Sequence, residues 1–104
     1  MKTLLKIIII NLFYINTSYA VTQKDCSDIS DLAYQTMILR QKNVDASLLS
    51  NIIQSQNISE VAKEGMKGII IKAYSVPLYN SEANKQKSAM EFKNDTYTRC
   101  LKLN

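Results

Sequence analysis

Residues 58–79 read ISEVAKEGMKGIIIKAYSVPLY, from Ile58 to Tyr79, and this stretch decides the fold. It holds both glycines, the only proline and the longest apolar run outside the N-terminus. Ser59 is suited to cap a helix, because its hydroxyl can accept from an unpaired N–H of the first turn. Placing each residue 100° on from the last puts Ala62, Met66, Ile69, Ile70 and Ala73 on one face. Ile58, Gly65 and Tyr74 flank that face. The pattern predicts a helix from about Ser59 to Tyr74, with the other helices arranged around it. Ser75-Val76-Pro77 stops it, since proline cannot continue a helix and constrains the residue before it. Leu78 and Tyr79 are expected to tuck back.

The other side of this helix is unusual. Val61, Gly68 and Ile71 fall there beside Glu64, where a surface helix is ordinarily polar. Either the helix is sandwiched between two neighbours or it exposes a small apolar patch. The sandwich is favoured, because a central helix in a small bundle commonly has two neighbours. Gly65 beside Ala62 would admit close approach by another helix. Gly68 lowers helix stability by about 1 kcal/mol relative to alanine, so a packing reason is expected for it.

Working outward, a first helix is expected from about Cys26 to Lys42, after a short mobile lead from Val21 to Asp25. Asp25, Asp28 and Asp31 crowd its first turns, where carboxylates suit the positive end of the helix dipole; a cation site is the less favoured reading. Its inward stripe is Cys26, Ile29, Leu32, Ala33, Thr36, Met37 and Leu39. Arg40 falls on the same side, either lying at the margin with its stem on apolar surface or holding a carboxylate or a chain end. Asn43 is a plausible left-handed stop. Asp45 can cap a second helix, about Ala46 to Gln54, with Leu48, Leu49, Ile52 and Ile53 facing inward. Ser81 caps the last helix, about Glu82 to Leu101, with Ala89, Phe92, Thr96 and Cys100 inward and Tyr97 at the edge. The fold class is therefore all-α, a small bundle of about four helices.

The first twenty residues stand apart. Lys2 and Lys6 form a short basic start, an apolar segment follows, and Thr17-Ser18-Tyr19-Ala20 places small residues at −3 and −1. This is the pattern of a secretory signal, with cleavage expected between Ala20 and Val21. The apolar run falls short of the roughly 20 residues that span a bilayer, so no stable membrane anchor is expected after cleavage. Residues 21–104 then form a single helical domain. Eleven basic and nine acidic side chains remain in it, a net charge of +2. No block of like charge remains, which gives nucleic acid or an anionic membrane little to bind. Both cysteines, Cys26 and Cys100, lie in this part and sit on the apolar faces of their helices. In an oxidising compartment such a pair reads as a disulfide. With no histidine and no third cysteine, a zinc site would lack ligands.

The same inventory limits the chemistry. Without histidine there is no ordinary Ser–His or Cys–His nucleophile, and paired cysteines leave no thiolate. There is no glycine-rich phosphate loop. Glu60 with Glu64, and Glu91 with Asp95, are carboxylates one turn apart, but surface positions on amphipathic helices explain both pairs. No catalytic residue, cofactor or metal is assigned, and the chain is expected not to be an enzyme. Tyr34, Tyr74, Tyr79 and Tyr97 bring area and a polar tip suited to recognition, although core or edge positions account for them as well.

With these residues placed, the chain resembles a group of small, largely uncharacterised secreted proteins of gammaproteobacteria and their prophages. The likeness rests on Cys26, Arg40-Gln41, Ala73-Tyr74 followed by Pro77, and Phe92 preceding Cys100. It implies a periplasmic helical protein and no particular activity. A looser likeness is to all-helical periplasmic immunity proteins, and a third to small periplasmic acid-stress chaperones with one disulfide. The expected function is binding of one protein partner, as an inhibitor, immunity or exclusion factor, in the periplasm of a Gram-negative bacterium or outside the cell. A periplasmic acid or stress chaperone is the alternative. Arg40, Val61, Gly68, Ile71, Tyr74 and Tyr79 are the candidate partner-binding residues.

Overall fold

The computed structural model describes residues 22–103; the N-terminal segment and its Ala20–Val21 junction lie outside them. The described residues form four helices and no strand: α1 (Gln23–Gln41), α2 (Ala46–Gln54), α3 (Glu60–Tyr74) and α4 (Glu82–Leu101). The expected all-α bundle is what the chain adopts.

The caps explain the boundaries. α1 starts three residues earlier than its apolar stripe predicts. Thr22 Oγ1 accepts from the Asp25 N–H while Asp25 Oδ2 accepts from the Thr22 N–H, each at 3.0 Å, a reciprocal capping box. Residues 23–25, expected as part of a mobile lead, are thus in the first turn of the helix. Asp28 pairs with Lys24 at 2.9 Å and Asp31 with Lys93 of α4 at 3.3 Å, so the three acids have three separate partners. Asn43 takes the left-handed conformation, with φ of 63°, and ends the first helical segment. Asp45, Ser59 and Ser81 cap α2, α3 and α4.

α1, not α3, is the element the others pack on. α4 runs back along its whole length, α3 meets it less extensively, and α2 rests on α3. The buried residues of α1 are Cys26, Ser30, Ala33, Thr36, Met37 and Gln41. Ile29, placed inward by the stripe, is exposed, and Leu32 and Leu39 are half-buried. Small side chains take their place. Ser30 and Ala33 on α1 and Ser88 and Ala89 on α4 are all buried. The two serine hydroxyls donate to carbonyls of their own helices, Ser27 and Lys85, at 2.8 Å, so their burial leaves no orphaned donor. The seam is closed covalently: Cys26 and Cys100 form a disulfide with Cα atoms 5.5 Å apart. Met37, Ala73 and Ala89 make the core, with Tyr34, Ile38, Tyr74, Val76 and Phe92 packed against it.

α2 differs from expectation. None of its residues is buried, and Leu48 and Ile52 are 53% and 47% exposed rather than inward. The helix packs chiefly on α3, so of its apolar stripe just Leu49 and Ile53 are partly covered. Lys63 of α3 closes its last turn by donating to the Gln54 carbonyl at 3.2 Å.

Candidate functional site

The last turn of α1 pins the segment that follows α3. Gln41, only 2% exposed, donates from Nε2 to the Pro77 carbonyl at 2.9 Å and accepts from the Tyr79 N–H at 3.0 Å. Its side-chain amide thus engages the backbone on both sides of Leu78, as a neighbouring peptide group would. Beside it, Arg40 Nε donates to the Val76 carbonyl at 3.1 Å, and its guanidinium lies 5.1 Å from the centre of the Tyr74 ring. Arg40 therefore holds a turn, not a carboxylate or a chain end. The Tyr74 hydroxyl donates to the Val44 carbonyl in the α1–α2 connection. Burial pushes its pKa above the ordinary 10.0, against a smaller opposing effect of Arg40.

This pinned turn forms one wall of a long groove. α3 and α4 both lie on α1 but pack little on each other. Between them is a cavity of about 280 Å³, lined by Gly65, Gly68, Ile69 and Lys72 on one side and Phe92, Asp95, Thr96 and Arg99 on the other. Phe92 and Asp95 also line the next cavity, about 350 Å³, whose far wall is the turn from Ser75 to Tyr79 and which reaches Met37. Tyr79, Ser88 and Glu91 continue into a third, about 170 Å³, that ends at Asn84. The shared residues make one trench along α4 from Asn84 to Arg99, roughly 22 Å at 1.5 Å rise per residue.

The trench offers apolar surface from Ile69 and Phe92, bare helix backbone at the glycines, and charge along its rims. A Cβ added at Gly65 or Gly68 would meet nothing within 4 Å. The close intramolecular approach expected there does not occur, and neither glycine has a packing partner among the described residues. Asp95 is held by Arg99 at 2.9 Å and Glu91 by Lys87 at 3.9 Å. Glu60 and Glu64 are likewise paired with Lys63 and Lys67. Lys72 stands in no ion pair among the described residues.

The six residues singled out by the sequence do not form one surface. Gly68 and Tyr79 line the trench. Val61, 77% exposed, shares the helical stripe of Gly65 and Gly68 but lies a turn beyond. Ile71, 68% exposed, lines a separate cavity of about 180 Å³ with Ser50 of α2. α3 is therefore not sandwiched, and its second apolar side is open. Arg40 and Tyr74 are half-buried and engaged within the molecule. Sequence reasoning assigned Ile69 and Phe92 wholly to the core, passed over Ser30 and Ser88, and noted Gln41 with Arg40 in a resemblance without giving it a role. For Ser30 a signal existed: it is in phase with Cys26, Ala33 and Met37 on α1.

Together these features define a small all-α bundle, closed by one disulfide, with an open groove along its last helix. Among the described residues, no helix is long and apolar enough to cross a membrane. Comparison with protein-family models, with curated proteins and with solved structures yields no match.

Proposed function

We propose that the mature chain is a non-catalytic exported protein that binds one protein partner in the periplasm, as an inhibitor, immunity or exclusion factor. The observation that carries this reading is the trench along α4. It is open, about as long as a short helix, and walled on one side by a turn held rigid through Arg40 and Gln41. A site of that length and openness suits a macromolecular surface better than a small molecule, which is usually enclosed on most sides. Export is supported by the signal-like N-terminus and by a structural disulfide, which persists in oxidising compartments.

A photoreactive amino acid placed at Thr96, inside the trench, tests the reading in living cells. A single discrete adduct with another protein is expected from Thr96 and not from Asp28 on the far side of α1. Repeated absence of an adduct from a folded, exported bait would count decisively against partner binding. N-terminal sequencing of the exported protein should begin at Val21.

A further inference from the structure

The α3–α4 half of the trench has a chemistry that the described residues do not use. Gly65 and Gly68 lie in the interior of α3, where glycine lowers helix stability relative to alanine. Neither has a positive φ, and neither faces a neighbour that a Cβ would strike. Packing among the described residues therefore does not call for two missing side chains on this wall. An element arriving from outside does, because glycine lets another backbone come close. Ile69 and Phe92 supply apolar surface beside the glycines.

The charge at this end is lopsided. Lys72 and Arg99 line it against Asp95; Arg99 and Asp95 engage each other, and Lys72 is left as the unpaired charge among the described lining residues. Lys102 follows Arg99 by three residues and is exposed. The walls are helices whose interior backbone groups are paired within their own turns, so they offer no edge for an added strand.

We propose that this groove receives an amphipathic helix of a protein partner. That helix lays small and apolar side chains over Gly65, Gly68, Ile69 and Phe92 and carries acidic residues opposite Lys72. The proposal rests on the partner-binding reading above and names the face and the chemistry of what docks there. A helix of about four turns spans the roughly 22 Å of the whole trench, of which this groove is one end.

The probe is a phage-displayed library of helix-biased 16-residue peptides, panned against the oxidised chain as the cell secretes it. Enriched peptides should carry apolar or small residues at i, i+3, i+4 and i+7, with acidic flanks. Gly65→Leu and Gly68→Leu should each weaken them at least tenfold while the far-ultraviolet circular dichroism stays helical. Gly68→Ala guards against misfolding: it should melt higher than wild type yet bind more weakly. Lys72→Glu should turn the preference of a fresh selection from acidic to basic peptides. Peptides that ignore both glycine substitutions but are lost with Ile71→Glu or Leu48→Glu would overturn the groove and leave partner binding standing. No enrichment, or self-association of the chain through this face, would overturn the proposal, whereas failure of partner binding itself would show in the cross-linking from Thr96.

Discussion

At the scale of single residues, Gln41 and the two glycines make opposite predictions. Gln41 is a buried polar side chain that serves two backbone groups of another segment, 2.9 and 3.0 Å away. Gln41→Ala leaves the Pro77 carbonyl and the Tyr79 N–H without that partner, and an unmade buried hydrogen bond costs about 1–3 kcal/mol. Chemical denaturation should register a loss in that range; a change under 0.5 kcal/mol would show that the turn holds itself. Gly65→Ala and Gly68→Ala should do the reverse. Each places a methyl group in open space and removes a poor helix former. Each should gain roughly 0.5–1 kcal/mol, which for a domain of this size raises Tm by several degrees. A fall in Tm would mean that the glycines do have an intramolecular role. The glycines were legible in the sequence as an anomaly, but not as a wall of a groove. Periodicity places a residue on a face of its helix and is silent on whether that face meets another helix or solvent.

At the scale of elements, α1 responds to acid at its N-terminus. The carboxyl group of Asp25 is held below its ordinary 3.8, chiefly by the hydrogen bond from the Thr22 N–H and then by the Thr22 side chain. A depressed carboxylate stabilises the folded state fully above its unfolded pKa. The contribution begins to fade near pH 4 and is gone once pH has dropped through the lower folded value. Protection of the Asp25 and Cys26 amides, taken relative to their intrinsic exchange rates, should therefore fall as pH drops below about 4, ahead of the rest of α1; a uniform loss along the helix would refute this. Asp25→Asn should remove the dependence, whereas Thr22→Ala, which keeps the backbone N–H, should only reduce it. α2 is the element expected to open first, because it packs chiefly on α3 and buries no residue. Its existence, ends and cap were readable from Asp45 and the stripe of Leu48, Leu49, Ile52 and Ile53. That half of this stripe stays exposed was not readable, since the stripe does not state how many neighbours will cover it.

At the scale of the molecule, the disulfide joins residues 74 apart in sequence and ties the start of α1 to the end of α4. Closing a loop of that length stabilises by about 4–5 kcal/mol on a chain-entropy account. A domain of this size has a total stability of roughly 4–12 kcal/mol, so the bond is a large share of it. The double substitution Cys26→Ala with Cys100→Ala should lower stability by several kcal/mol in chemical denaturation. A loss below 1 kcal/mol would mean that the α1–α4 seam suffices. The oxidised protein should also stay helical and compact at pH 3, because its ion pairs are largely exposed and such pairs contribute little. Binding of an apolar dye at pH 3, together with protection of aggregating clients, would instead favour an acid-activated chaperone.

The chain's own order determined the helices, their caps, their stops and the pairing of its only two cysteines. All of these depend on local geometry, on capping chemistry within three or four residues, or on there being one possible partner. Tertiary structure decided which helix is the hub. Small residues at Ser30, Ala33, Ser88 and Ala89 let α1 and α4 lie together, which makes α1 the platform and leaves α3 on its flank. It also decided that Arg40 and Gln41 grip a turn 36 to 38 residues away, and that α3 and α4 stand apart as the walls of a groove. Those outcomes depend on which faces meet across long stretches of chain, and no single helical stripe contains that information.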